Sequence, residues 1–194
     1  MAMPFDAENE GSDEDLLVAY GQGSAHAARV LTLRLTPRVL GYAARLLRDA
    51  AEAEDVAQEA MLRLWRIAPE WRAGEAKVTT WLYRVVTNLC TDRLRRRRGA
   101  GLDEVPEPVD EAPGAEARLI AADRAEALDT ALAALPERQR QAVILRHLEG
   151  LSNPEIAGIM EIGTEAVESL TARGKRALSA ALAGRRSELG FEDV

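Results

Sequence analysis

Residues 99–114 divide this sequence into two parts of different character. The segment contains three prolines and three glycines, and its apolar residues follow no regular spacing. Proline removes a backbone donor and glycine adds backbone freedom, so this composition is typical of an interdomain linker. We therefore predict two domains, at residues 13–98 and 115–186, with a flexible acidic tail at 1–12 and a second tail at 187–194.

On both sides of this linker, apolar residues recur at the spacing of an α-helix, and the period-two alternation of β-strands is absent. The predicted helices cover residues 13–21, 25–47, 51–67, 79–98, 115–135, 137–148, 154–160 and 165–183. The predicted fold class is all-α, with two small helical domains joined by a flexible linker.

The second domain contains the pattern of a helix-turn-helix. Ser152 and Glu155 have the spacing of a capping box, and Pro154 falls in the first turn, where its missing N–H costs little. Gly163 is predicted to break this short helix, and Thr164 to cap the next one. The alternative is an ordinary helical hairpin with a charged exterior, because short helix–glycine–helix segments are common.

The second helix of this motif has the side chains needed to read DNA in a major groove about 12 Å wide. Arginine can hydrogen-bond to guanine edges, and serine or threonine can reach bases or phosphates. The candidate DNA-binding residues here are Thr164, Glu165, Glu168, Ser169, Ala172, Arg173, Lys175 and Arg176.

The third predicted helix has an acidic face that also contains leucine. Asp55, Gln58, Glu59 and Leu62 recur at helical spacing, with Trp65 beside them. Polar residues around apolar anchors are typical of a protein-docking face. The alternative is a solvated acidic face, which spacing alone favours.

The fourth predicted helix is strongly basic, although the whole chain carries a net charge of −7. Between residues 81 and 98, six arginines face one acid, a balance of 6 − 1 = +5. Its candidate nucleic-acid-binding residues are Trp81, Tyr83, Arg84, Thr87, Asn88, Thr91 and Arg95. Basic residues interleaved with aromatic ones suit single-stranded or partly melted DNA. A charge run that complements the helix dipole is the alternative, but the four arginines at 95–98 exceed that need.

The segment before this helix is polar, and Gly74 gives it conformational freedom. A loop of this kind could accept a base that has turned out of the duplex. Arg72, Lys77 and Thr80 are its candidate DNA-binding residues.

Several classes of site are not expected. His26 and His147 lack ligand spacing, and no phosphate-binding glycine loop or HExxH pair occurs. Cys90 lies on an apolar stripe and is interpreted as a small buried hydrophobe. We expect no enzymatic activity, no catalytic residues, no metal and no cofactor.

The sequence is typical of a cytoplasmic protein without membrane insertion. Its single cysteine excludes an internal disulfide, and no apolar run reaches the roughly 18 residues of a membrane helix. The first fifteen residues carry six acids and no basic residue, which is the opposite of a signal peptide.

Four ordered motifs together resemble the extracytoplasmic-function sigma factors of RNA polymerase. They are AEDVAQEAMLRLW, TWLYRVVTNLCTDRLRR, LPERQRQAVILR and EGLSNPEIA. The resemblance covers about residues 13 to 182, and the linker falls where that family has one.

This resemblance implies a role for each candidate surface. Asp55, Gln58, Glu59 and Leu62 would bind the β′ clamp of core RNA polymerase, whose β subunit is a further expected contact. The loop at 72–78 and the helix at 80–95 would recognise the promoter −10 element, and the helix at 165–176 would read the −35 element. An anti-sigma factor would hold the protein inactive.

Two residues depart from the family pattern. Glu168 stands where a basic residue is frequent, and Leu170 where an arginine is frequent. Glu168 could accept a hydrogen bond from cytosine, and Leu170 could contact a thymine methyl group or pack in the core. The alternative function is a stand-alone helix-turn-helix regulator, which would leave the surfaces of the first domain unexplained.

Overall fold

A computed structural model describes residues 11–72, 74, 76–99 and 116–183. The linker predicted at 99–114 and the tails predicted at 1–12 and 187–194 lie outside the described residues, apart from Gly11, Ser12 and Gly99. The chain divides into two compact units, the first of residues 1–102 with 158–161 and the second of residues 103–157 and 162–194.

The described residues form helices and contain no strand, which confirms the predicted all-α fold class. The helices are α1 (Asp13–Gly21), α2 (Ala25–Leu47), α3 (Ala50–Ile67), α4 (Val78–Gly99), α5 (Glu116–Ala133), α6 (Glu137–Val143), α7 (Asn153–Met160) and α8 (Thr164–Ala183). A 3₁₀ turn, Ala68–Glu70, follows α3, and a π-helical turn, Ile144–Leu148, continues α6. The helix bounds agree with the prediction to within two residues, except that the last turn of the helix expected at 137–148 is π-helical.

Helix α2 is the centre of the first unit and packs against α1, α3 and α4. The largest fully buried side chains between these helices are Leu17, Leu31, Leu35, Tyr42, Leu46, Leu64, Leu82 and Tyr83. Burial of this apolar surface provides the main stabilisation of the unit. Cys90 belongs to the same core, as the sequence predicted.

Short polar side chains cap the first three helices. The Ser12 and Ser24 hydroxyls accept hydrogen bonds from the amides of Asp15 and Ala27, at 3.1 and 3.2 Å. A carboxylate oxygen of Asp49 accepts from the amide of Glu52 at 2.9 Å. Each cap satisfies one of the helix amides that have no partner within the helix.

The helix-turn-helix of α7 and α8 has the glutamate half of the predicted capping box at its start. A Glu155 carboxylate oxygen accepts hydrogen bonds from the Ser152 amide at 2.8 Å and from its hydroxyl at 2.5 Å. The turn differs from the prediction. Glu161, not Gly163, has the left-handed backbone, with φ of 53°, and the Gly163 carbonyl accepts from the amide of Ala166 at 3.1 Å. The new helix therefore begins at Thr164 itself, one residue earlier than a threonine cap would place it.

Helix α8 packs on α6 through Gly174, which is buried. A Cβ atom added at this glycine would lie 2.5 Å from Val143 Cγ2 and 3.4 Å from the Gln139 carbonyl oxygen. The close approach of α6 and α8 therefore requires a glycine at position 174, because any larger residue would collide with α6.

We expect Gly174→Ala to lower the free energy of unfolding by about 1–3 kcal/mol, because the added methyl group overpacks a branched core side chain. Thermal or urea unfolding followed by circular dichroism measures this loss. Gly158→Ala is the matched control, since nothing lies within 4 Å of a Cβ at that helical glycine. The control should be neutral or stabilising by up to about 1 kcal/mol, and equal losses in both variants would contradict the packing argument.

Candidate nucleic-acid and protein interfaces

The acidic face of α3 lies on the surface. Asp55, Gln58 and Leu62 are exposed, and Leu62 is 46% exposed, which is unusual for a leucine side chain in this structure. Glu59 is half-exposed and accepts a hydrogen bond from Arg63 at 2.5 Å. On the opposite side, Val56, Ala60 and Leu64 are fully buried. The helix thus presents an apolar anchor surrounded by polar groups. We name the exposed residues Asp55, Gln58, Glu59 and Leu62 the α3 face.

Trp65 lies one turn after Leu62 on α3 and is half-exposed. Its ring packs against Tyr20 of α1, with centroids 4.7 Å apart and planes inclined by 58°. Contacts of this kind hold an aromatic side chain in one orientation. Trp65 is therefore held by Tyr20 and is only partly available to a partner.

The outer face of α4 carries part of the predicted basic stripe. Arg84, Asn88 and Arg95 are exposed, and Thr91 is half-buried. Arg95 pairs with Asp92 at 2.9 Å, but both side chains are well exposed. An ion pair between exposed side chains contributes little to stability, so it leaves Arg95 available to a phosphate. We name Arg84, Asn88, Thr91 and Arg95 the α4 face.

Two predicted members of this stripe belong to the core instead. Tyr83 is 2% exposed and Thr87 is 5% exposed. The Thr87 and Tyr42 hydroxyls are hydrogen-bonded at 2.9 Å, and the Tyr42 and Tyr83 rings meet edge to face, with centroids 5.3 Å apart. The predictions for Tyr83 and Thr87 were wrong because α2 covers this side of α4.

The arginine run at the end of α4 is also divided between two roles. Arg97 binds a carboxylate oxygen of Asp49 at 2.8 Å and one of Glu52 at 3.0 Å. It also donates to the Leu47 carbonyl oxygen at 3.1 Å, so it ties α4 to the turn between α2 and α3. Arg93 faces Glu52 at 3.7 Å. Arg97 therefore has a structural role within the first unit, whereas Arg95 and Arg96 of the same run are exposed.

Arg97→Ala should lower the free energy of unfolding by about 1–3 kcal/mol, because it removes the cation that the partly buried Asp49 and Glu52 carboxylates share and the donor to the Leu47 carbonyl oxygen. Arg96→Ala is the control, since Arg96 is an exposed neighbour on the same turn. This control should change the free energy of unfolding by less than about 0.5 kcal/mol. Chemical denaturation of the two variants measures the difference, and similar stabilities would contradict a structural role for Arg97.

The segment before α4 brings two tryptophans together. The Trp71 and Trp81 rings meet at 80° with centroids 6.3 Å apart, and both side chains are half-buried. Arg72 and Lys77 are exposed, as a DNA-binding role requires. The Thr80 hydroxyl oxygen is buried, so the structure does not support a direct contact from Thr80 to a ligand.

The outer face of α8 is open along its length. All eight candidate residues are exposed, namely Thr164, Glu165, Glu168, Ser169, Ala172, Arg173, Lys175 and Arg176. Val167 is buried on the opposite side, and Leu170 is half-buried. The Glu168 carboxylate accepts a hydrogen bond from the Asn153 side-chain amide at 3.3 Å, so part of its acceptor capacity is already used within the protein.

Two basic residues that the sequence interpretation did not assign to DNA binding are also exposed in the second unit. Arg146 and His147 are exposed on the π-helical turn before the helix-turn-helix. Partial desolvation, followed by the positive charges of Lys175 and Arg146, lowers the pKa of His147. The lowered pKa favours the neutral form of His147, so Arg146 and Lys175 carry the positive charge in this part of the second unit. In the sequence, the adjacent basic residues Arg146 and His147 just before the helix-turn-helix were the feature that could have indicated them.

Metal and membrane sites are not found in the part of the chain that the structure describes. Within it, no group of three or more histidine, cysteine, aspartate or glutamate side chains could hold a metal ion. None of its helices combines the length and apolarity needed to cross a membrane.

Comparison with known protein families gives two matches. The Sigma-70 region 2 family model matches residues 31–100, which include α3 and α4. The Sigma-70, region 4 model matches residues 125–178, which include the helix-turn-helix.

Individual proteins resemble the chain over most of its length. The RNA polymerase sigma-H factor of Pseudomonas aeruginosa is 33% identical, over 88% of this chain and 93% of that protein. The ECF RNA polymerase sigma factor SigM of Mycobacterium tuberculosis is 35% identical, over 92% of this chain and 88% of that protein. Among solved structures, CnrH in complex with the cytosolic domain of CnrY matches with a TM-score of 0.64 and 25% identity, over 92% of this chain and 99% of CnrH.

Proposed function

Because the chain belongs to the extracytoplasmic-function family of RNA polymerase sigma factors, we propose a division of labour between its surfaces. The protein directs promoter-specific initiation of transcription by core RNA polymerase. The α3 face docks on the polymerase, the first unit recognises the −10 element, and α8 reads the −35 element. In this scheme residues 13–98 form the polymerase and −10 domain, and residues 115–186 form the −35 domain.

Docking on the polymerase rests on the exposed Leu62 within a polar rim. A leucine side chain that is 46% exposed gains free energy when a partner removes it from water. Asp55 and Gln58 beside it can pair with basic and polar groups of the β′ clamp. Trp65 adds an aromatic edge at the end of this surface. We assign the β′ clamp as the partner, with the β subunit as a further contact.

Recognition of the −10 element rests on the α4 face and on the segment before α4. Arg84 and Arg95 supply positive charge for the DNA backbone, and Asn88 supplies donors and acceptors for a base edge. Trp81 provides a half-exposed ring on which a base can stack, with Arg72 and Lys77 nearby in sequence. Tyr83 and Thr87 are buried between α4 and α2, where they hold α4 in place and do not contact DNA.

Recognition of the −35 element rests on the exposed face of α8. The Arg173 guanidinium can form a bidentate hydrogen bond with the edge of a guanine. Lys175 and Arg176 supply positive charge for phosphates. Thr164, Ser169 and Ala172 can approach bases or phosphates because their side chains are short and exposed. Glu165 and Glu168 disfavour phosphate and favour cytosine, which donates from its amino group.

Control by an anti-sigma factor completes the proposal. CnrH, which the chain resembles, forms a complex with the cytosolic domain of CnrY. An inhibitor that covers the α3 face or the α4 face would prevent assembly with the polymerase or the promoter. The protein itself performs no chemistry and acts in the cytoplasm, where polymerase and promoters are found.

The exposed α3 face is the single observation that carries the proposal, because a stand-alone helix-turn-helix regulator has no need of it. The test is run-off transcription with purified core polymerase and a genomic promoter library. The proposal expects transcripts that depend on this protein, and competition with another sigma factor for core polymerase. DNA binding without either effect would overturn it in favour of the stand-alone regulator.

A further inference from the structure

Helix α4 is capped by a side chain from a distant part of the sequence. A carboxylate oxygen of Glu14, in α1, accepts a hydrogen bond from the backbone amide of Val78 at 3.0 Å, across 64 residues of sequence. Val78 is the first residue of α4 and is 0% exposed. Water therefore cannot satisfy this amide, and the bond to Glu14 does.

Lys77, the residue directly before α4, has no side-chain acceptor for the amides of the first turn. A helix is normally capped by an oxygen on the residue before it. That residue is Lys77, whose ammonium group has donors only. The Glu14 carboxylate also complements the positive end of the α4 dipole, as negative groups do at helix N-termini.

Glu14 is held in place by the attachment of α1 to the rest of the unit. Arg34 of α2 binds Asp13 at 3.2 Å and the Gly11 carbonyl oxygen at 2.9 Å. At the other end of α1, a Cβ atom on Gly21 would lie 2.7 Å from the Ala68 carbonyl oxygen, so the two backbones are in close contact. Helix α1 therefore presents Glu14 from a fixed position.

We propose that Glu14 is a positioning residue for promoter recognition. It fixes the first turn of α4, and with it Trp81, Arg84 and the end of the segment at 71–77, in the arrangement that captures melted −10 bases. Glu14 does not contact DNA, because its carboxylate is occupied by the Val78 amide and carries the wrong charge. This inference rests on the proposed function, since it concerns the −10 surface defined there.

The test measures binding of holoenzyme to a fluorescent single-stranded oligonucleotide with the non-template −10 sequence of a promoter mapped by run-off transcription. Glu14→Ala should weaken this binding severalfold, because the first turn of α4 loses its cap and the −10 surface is then ordered in only part of the molecules. Glu14→Gln should stay within about twofold of the parent protein, because its amide oxygen still accepts the bond. Asp15→Ala is the matched control, as it removes an exposed acid from the same turn and should leave binding unchanged.

Two further measurements separate positioning from loss of fold. Affinity for core polymerase and for −35 duplex DNA should be unchanged in Glu14→Ala, whereas general unfolding would lower all three affinities. Val78→Pro removes the capped amide at the first helix position, where the backbone tolerates proline, and Val78→Ala is its control because it truncates the same buried side chain but keeps the amide. In the Val78→Pro background Glu14→Ala should have no additional effect, because its partner is absent.

Unchanged oligonucleotide binding by Glu14→Ala would overturn the inference and leave the proposed function intact. So would an equal loss in Glu14→Ala and Glu14→Gln, or a loss that persists in the Val78→Pro background. Failure of the parent holoenzyme to bind the oligonucleotide would instead overturn the proposed function, and the inference with it.

Discussion

Replacing Asp55, Gln58 and Leu62 together with alanine should weaken binding to core RNA polymerase about a hundredfold or more. Anchor residues at protein interfaces each contribute about 2 kcal/mol or more when truncated, and each 1.4 kcal/mol corresponds to about tenfold in affinity. All three side chains are exposed in the free protein, so the fold should remain intact. Fluorescence titration of labelled protein with core polymerase measures the affinity, and run-off transcription should fall in parallel.

The chain contains a well-matched control for the apolar part of this surface. Leu33 of α2 is 51% exposed and Leu62 of α3 is 46% exposed, so truncation to alanine removes a similar side chain from a similar environment. Leu62→Ala should weaken polymerase binding, whereas Leu33→Ala should not. Equal effects of the two leucines, or normal transcription by the triple variant, would show that the α3 face is a solvated surface.

Arg173→Ala should weaken binding to −35 duplex DNA by about 5- to 150-fold and relax the base preference at one position. These values correspond to the 1–3 kcal/mol by which a bidentate arginine–guanine contact discriminates against other bases. Arg173 is exposed, and its Nε donates within α8 to the Ser169 carbonyl oxygen at 3.2 Å, which orients the guanidinium group. Binding measured against a set of single-base variants of the site reveals the change in preference.

Lys175→Ala is the matched comparison, because Lys175 is exposed two residues further along the same helix. A phosphate contact should weaken binding to every sequence alike and should lower the salt slope by about one. We therefore expect Arg173→Ala to change both the affinity and the base preference, and Lys175→Ala to change the affinity alone. If Arg173→Ala lowers affinity uniformly across the base variants, Arg173 contacts phosphate and the guanine assignment fails.

Much of the fold was predictable because it depends on neighbouring residues. Apolar residues at helical spacing, with serine, aspartate and glycine between them, predicted the bounds of the described helices to within two residues, apart from the π-helical end of the helix predicted at 137–148. The all-α fold, the helix-turn-helix and the buried position of Cys90 are confirmed. Each of these features follows from periodicity and capping, which operate over a few residues.

The candidate surfaces could be predicted where the buried side of a helix coincides with its apolar residues. On α3 it does, because Val56 and Leu64 are buried and Asp55 and Leu62 are exposed. On α4 the buried side also includes Tyr83 and Thr87. Both contact Tyr42 of α2, a partner that the local pattern of α4 does not reveal.

Sequence by itself determined which residues form helices and which side chains carry charge, because those properties are local. Only the tertiary structure decided which of the polar side chains are used inside the protein. Thr87 bonds to Tyr42, Arg97 to Asp49, and Glu14 to the amide of Val78, each with a partner at least 45 residues away. The physical reason is that a polar group near the core must find a partner, and that partner is brought close only when the helices pack.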